Sequence, residues 1–301
     1  MSVHLNYYGR LLMAGKGWCM ALVVKPIKGT FVGEVDPIDL SNVDDGTLAE
    51  LKAAWNRYQI LVFQGLEMDE ADLVTFSQRF GDLEIHVRTE YLSRAYPQIL
   101  YVSNMKDETG RAIGILSQGE VGWHYDQIYL PRPALGSFLL AHTLPKDRGE
   151  TSFADMSLAY EQLPQGTKAI IEGRKAVQSY EAFNSAYSVP TDKKQTKKTP
   201  DVEHPIVRTH PITGRKALYI CPGMTTQIVG LPEDESRAVL DELFDWTVRP
   251  EFVYTHKWQA GNGVMWDNAC TMHRREPFDE NEQRLMKRTT ILPPADLAVP
   301  Y

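Results

Sequence analysis

Glycine, proline and asparagine divide the second half of the chain into apolar runs of only a few residues, and this punctuation constrains the fold more than any other feature. Runs that short form strands rather than helices. Residues 205–220 read as a hairpin about Thr213-Gly214-Arg215, and residues 252–270 as another about Asn262-Gly263. Many short strands joined by such turns close into a sandwich or jelly roll. Helices are expected on the flanks. Residues 47–55 carry Leu48, Leu51 and Trp55 at helical spacing behind the capping candidates Asp44 and Asp45. Residues 69–80 carry Leu73, Phe76 and Phe80 ahead of Gly81, a candidate left-handed cap. Residues 58–63 read as a buried strand between them, and further helices are predicted at 157–162, 166–173 and 233–246. The expected class is mainly β with flanking α-helices.

At 301 residues, 43% hydrophobic and 24% charged, the chain has globular composition and is expected to form a single domain over residues 1–301. Residues 1–20 read as an unplaced N-terminal extension. Residues 183–205, which include Lys193, Lys194, Lys197 and Lys198, read as a mobile lid. A net charge of -7 with scattered basic residues argues against a nucleic-acid partner. Apolar stretches fall far short of the roughly 20 residues that span a bilayer, and no signal peptide is evident, so a cytoplasmic protein without a membrane partner is expected. Cys19, Cys221 and Cys270 show no paired spacing and are read as reduced thiols. Oligomeric state stays open, a homo-oligomer included.

Candidate chemistry begins at Trp123-His124-Tyr125-Asp126, within residues 121–130, which read as a strand. Residues two apart project to one face, so His124 and Asp126 point together. With a second histidine they would form the two-histidine, one-carboxylate face of non-haem iron(II) sites. His273, beyond Val264-Met265-Trp266-Asp267-Asn268, is the candidate, provided the fold brings its strand beside the first. His142, His204, His210 and His256 read as surface or hydrogen-bonding residues. Alternation along residues 284–291 puts Arg284, Met286, Arg288 and Thr290 on one face. Were that face internal, each guanidinium would need an anion.

Together these segments resemble the TauD/TfdA family, the taurine and 2,4-dichlorophenoxyacetate dioxygenases, over nearly everything after about residue 25. The landmarks are His124-Tyr125-Asp126, then Thr151 after 24 intervening residues, then the W-D-N segment leading to His273, and arginines eleven and fifteen residues beyond it. The resemblance implies a double-stranded β-helix (jelly roll) with His124, Asp126 and His273 as catalytic iron(II) ligands. It implies that Thr151 and Arg284 bind 2-oxoglutarate and that Arg288, His86 and Gln127 contact the substrate. The implied reaction uses dioxygen and decarboxylates 2-oxoglutarate to succinate and CO2. Its other product is a hydroxylated small anionic organic substrate, an aryloxyalkanoate-like carboxylate or a sulfonate. The alternatives are the same chemistry on an amino acid or natural-product intermediate, by hydroxylation, desaturation or cyclisation, and a cupin-like metal protein without 2-oxoglutarate.

Overall fold

The computed structural model describes residues 22–115, 121–185 and 199–297. Numbered in chain order, β1 (Val24–Lys28), β2 (Val32–Val35), β3 (Ile60–Phe63), β4 (Leu100–Ser103), β6 (Gly136–Thr143), β14 (Gly263–Asp267) and β16 (Leu285–Ile291) form a large sheet. Its strand order is β1-β2-β3-β14-β6-β16-β4. A smaller sheet takes β5 (Val121–His124), β7 (Thr151–Asp155), β13 (Val253–His256) and β15 (Thr271–Arg275), in the order β13-β7-β15-β5. The chain alternates between the sheets, first through β5, β6 and β7 and again through β13, β14, β15 and β16. That winding is the double-stranded β-helix.

Between those passes the chain makes β8 (Lys175–Gln178), β9 (Val202–Pro205), β10 (Val207–Thr209), β11 (Lys216–Leu218) and β12 (Thr225–Ile228). The expected hairpin at 205–220 forms as β10 and β11, with Gly214 at φ 70° in the turn. The hairpin expected at 252–270 does not form. β13 pairs with β7, whereas β14 pairs with β3 and β6, so the chain crosses from one sheet to the other. Every residue of β14 is buried, and a central strand needs a partner on each side, which a local hairpin cannot supply. Gly263 instead serves close packing, since a Cβ there would lie 2.7 Å from the Phe138 ring.

Helix α1 (Asp45–Tyr58) starts where Asp44 accepts the Thr47 amide, and α2 (Glu70–Gln78) starts at a reciprocal capping box of Asp69 and Asp72. Gly81 does not take the expected left-handed conformation. It admits the Leu292 carbonyl, which a Cβ would meet at 2.9 Å. Three further helices, α3 (Met156–Gln162), α4 (Gln165–Ile171) and the short α5 (Tyr180–Ser185), precede α6 (Glu233–Thr247).

Apolar residues form three clusters. One lies between the sheets, where Val62, Phe153, Val264, Trp266 and Met286 meet. A second joins the outer face of the large sheet to α1 and α2 through Leu51, Trp55, Phe76 and Phe138. The third packs α3 and α6 onto Ala154 and Met272 of the small sheet. This layering leaves one interior, and the polar residues inside it are conspicuous. The N-terminal extension and most of the expected lid lie outside the described residues. Cys221 and Cys270 are free and buried. No helix among the described residues is long and apolar enough to cross a membrane.

Candidate active site

His124 ends β5 directly opposite His273 of β15, with ring centroids 4.2 Å apart. The strand expected over 121–130 stops at His124, so Asp126 is not aimed by strand alternation. Asn268 takes over. Its Oδ1 accepts the Asp126 amide at 3.0 Å, and its Nδ2 donates to the carbonyls of Asp126 at 2.7 Å and Ala134 at 3.1 Å. One buried side chain thus satisfies both backbone groups of Asp126, as a neighbouring strand would. Ser137 adds a hydrogen bond to Asp126 Oδ2 at 2.9 Å. The ligand-capable atoms of His124, Asp126 and His273 then lie within 4.8 Å of one another.

This donor set fits iron(II). His124 Nδ1 contacts the Gly122 carbonyl at 2.8 Å, which makes it the protonated nitrogen and leaves Nε2 as a lone-pair donor. Burial pushes His273 down to about 3, and nearby His124 adds to the effect, so its ring is neutral at physiological pH. Burial also lowers His124, against the pull of Asp126. For Asp126 burial opposes ionisation, but Arg288, the two histidines and the Ser137 hydroxyl hold it well below the usual carboxylate range. Two neutral imidazoles and a carboxylate bind a divalent ion while leaving positions open for other ligands.

On β16, Lys287 pairs with Glu70 and Thr289 bonds Ser77, both on α2, while Met286 and Arg288 face the interior. Arg284 is 1% exposed, and its Nε and Nη1 have no hydrogen-bond partner among the described residues. Burial lowers it to about 9, with a smaller push from the like charge of Arg275. Such a group calls for an anion. Thr151 faces Arg275 across the β7–β15 pairing, and its hydroxyl accepts the Trp258 indole N–H at 3.0 Å. Arg275 escaped the sequence reading, although it follows His273 by two residues and so shares its face.

Arg288 Nη1 donates to Asp126 Oδ1 at 2.9 Å. His86, Gln127 and Glu84 gather at the same end. His86 is pushed down to about 4 by burial and by Arg288, while burial raises Glu84 against the opposing pull of Arg288. Gln127, at φ 58°, donates from Nε2 to Glu84. Phe183 lies 6.2 Å from His124 and Tyr129 lies 4.6 Å from Tyr180, measured between ring centroids, so aromatic rings flank the cluster.

The remaining histidines divide. His142 is exposed, whereas His204, His210 and His256 are buried and hydrogen bonded. His210 accepts the amides of Ile212 and Thr213 at Nδ1 and donates from Nε2 to Asp267 at 2.6 Å. Cys270 lies beside this pair, but both imidazole nitrogens are already engaged, which makes the group a latch on the turn after β14.

The family model for the taurine catabolism dioxygenase TauD, TfdA family matches residues 24–290. The chain is 32% identical over 285 residues to the (S)-phenoxypropionate/alpha-ketoglutarate-dioxygenase of Sphingobium herbicidovorans, covering 90% of this chain and 95% of that one. It is also 32% identical to the alpha-ketoglutarate-dependent 2,4-dichlorophenoxyacetate dioxygenase of Cupriavidus pinatubonensis, covering 91% and 98%. Among solved structures, AAD-2 in complex with Mn(II) and N-oxalylglycine superposes with a TM-score of 0.77 at 30% identity, covering 91% of this chain and 98% of that one. N-oxalylglycine differs from 2-oxoglutarate only by NH in place of CH2. The chain therefore belongs to the TauD/TfdA family, the dioxygenases that use iron(II), 2-oxoglutarate and dioxygen.

Proposed function

We propose that the protein hydroxylates a small anionic organic substrate, an aryloxyalkanoate-like carboxylate or a sulfonate, with His124, Asp126 and His273 holding iron(II). When bound there, iron(II) supplies dioxygen activation coupled to oxidative decarboxylation of 2-oxoglutarate. Arg284, together with the Thr151 hydroxyl, receives the distal carboxylate of 2-oxoglutarate through charge-assisted hydrogen bonds. Asn268 and Ser137 hold Asp126 in place, and the Gly122 carbonyl fixes the tautomer of His124. Arg288 attracts the acid group of the substrate, with His86 and Gln127 beside it. Phe183, Tyr129 and Tyr180 restrict water around the reacting carbon.

The observation that carries this reading is the pair of guanidiniums at the start of and within β16, Arg284 buried with Nε and Nη1 lacking a partner among the described residues and Arg288 against the proposed metal ligand Asp126. A jelly roll that binds metal without 2-oxoglutarate has no use for the first. Anaerobic titration with iron(II) and then 2-oxoglutarate should produce the visible charge-transfer absorbance of a chelated 2-oxo acid. Succinate release, screened over aryloxyalkanoates, sulfonates and amino acids, should then pick out anionic substrates. No charge-transfer band at saturating 2-oxoglutarate, or best turnover with uncharged compounds, would overturn the reading.

A further inference from the structure

The substrate end of the site has two poles. Residues 83 and 84 run beside the end of β16, with the Glu84 amide donating to the Thr290 carbonyl at 2.9 Å and Leu83 bridging Ile291, and residues 85–88 continue from them. Along this segment Glu84, His86 and Arg88 are partly buried, whereas Ile85 and Val87 are 57% and 65% exposed. Glu84 and His86 both lie within electrostatic reach of Arg288 and Asp126. His86 Nδ1 accepts the Arg88 amide at 3.1 Å, which places the ring proton on Nε2 as a donor. Arg288 Nε is buried and without a partner among the described residues, a second donor for an acid group.

The other pole accepts. Gln127 is 7% exposed, and its Nε2 is committed to Glu84. That bond orients the amide, because a carboxylate can only accept, and it leaves Gln127 Oε1 buried with no donor among the described residues. A plain arylalkanoate or alkylsulfonate would satisfy Arg288 and His86 but bring nothing to Glu84 and Gln127 Oε1. A site that buries acceptors it cannot satisfy rejects such a ligand in favour of one that supplies the donor.

We propose that the substrate carries a hydrogen-bond donor, an ammonium or a hydroxyl, in addition to its acid group, and that Glu84 with Gln127 receives it. This rests on the function proposed above and narrows it to amino or hydroxy acids and sulfonates. Glu84 is on this account a specificity-determining residue.

The test uses full-length enzyme loaded anaerobically with iron(II) and 2-oxoglutarate, reading substrate binding as perturbation of the charge-transfer band. The probes are two matched sets. One is 3-phenylpropanoate with its 2-amino, 2-hydroxy and ring 4-hydroxy derivatives, and the other is propane-1-sulfonate with its 3-amino and 3-hydroxy derivatives. At least one donor-bearing member should bind roughly tenfold or more tightly than its parent. Glu84→Leu should collapse that ratio at least about tenfold, weakening the donor-bearing probe and tightening the parent. Glu84→Gln, which keeps an acceptor but loses the charge, should retain a preference for hydroxyl and lose one for ammonium. Should Glu84→Leu fail to form the band, Glu84→Gln and Gln127→Leu supply the same ratios. Parents binding as well as every derivative, derivatives that do not bind at all, a ratio that survives both Glu84→Leu and Gln127→Leu, or an ammonium preference that survives Glu84→Gln would overturn the proposal. A band that never forms in the wild-type enzyme sinks the underlying function instead, so the two failures are distinct.

Discussion

Asn268 carries more structural duty than its neutral amide suggests. It satisfies three backbone groups, two of Asp126 from 142 positions away in sequence and one of Ala134 from 134. Asn268→Ala should orphan them, cost about 1–3 kcal/mol for each group left unsatisfied, and lower iron(II) affinity about 10–100-fold. Anaerobic metal titration beside a denaturation curve separates the two effects, and unchanged affinity would remove the positioning role. Truncating the proposed ligands acts differently. Asp126→Ala should abolish coupled succinate formation with the fold largely retained, and near-normal turnover in that variant would refute the assignment. The arginines should divide their duties. Arg284→Ala should raise the 2-oxoglutarate requirement by a large factor, since truncating one partner of a buried charge pair costs roughly 2–5 kcal/mol. Arg288→Ala should leave 2-oxoglutarate affinity within a few-fold, weaken the substrate and permit uncoupled succinate release. Paired titrations on both variants decide, and equal loss of both ligands in each would end the distinction.

Among the elements, β6 shows how closely the outer helices press on the large sheet. At its first residue, Gly136, a Cβ would lie 2.5 Å from the Trp55 ring of α1 and 2.6 Å from the Trp266 carbonyl of β14. Neither neighbour yields easily, because one is a ring locked edge-on against Phe80 and the other is backbone. Gly136→Ala should therefore destabilise by about 2 kcal/mol or more. Urea denaturation measures it, and a loss under about 0.5 kcal/mol, the usual range for harmless surface changes, would show that the sheet can shift. Strand β16 works by alternation. Lys287 and Thr289 meet α2 while Met286 and Arg288 meet the interior, so one short strand anchors a helix and supplies the Arg288 guanidinium, with Arg284 directly before it.

For the molecule as a whole, buried neutral histidines tie stability to pH. His256 is pushed down to about 4 by burial, among Tyr254, Asn262 and Trp258. Its unfolded value is near 6.5, so the unfolded chain binds the proton more readily. Stability from this group is complete above about pH 6.5 and is lost as pH falls toward 4. The full loss is about 3 kcal/mol on linkage arithmetic. His256→Gln should flatten the pH dependence of the metal-free protein's unfolding free energy by close to one proton within that window. An unchanged slope would mean that His256 is not the group responsible.

Local pattern carried much of this. Alternation within residues 284–290 is a property of any extended backbone, so the shared face of Arg284 and Arg288 was legible before the strand had neighbours, whereas its inward direction was not. The helices at 45–58 and 70–78 were legible for the same reason, through spacing and, for the first, the cap at Asp44, whereas the capping box of Asp69 and Asp72 emerged only in the structure. Asp126 was placed beside His124 on mistaken grounds, because the strand ends two residues before it and a distant amide replaces the missing partner. Residues 252–270 were misread because a turn signal specifies a local bend but not whether the chain returns along its own sheet or crosses to the opposite one. Pairing partners are chosen by collective burial among strands far apart in sequence. The same long-range choice set His273 against His124, and ran Leu83 and Glu84 beside the end of β16 so that Glu84 lies within electrostatic reach of Arg288.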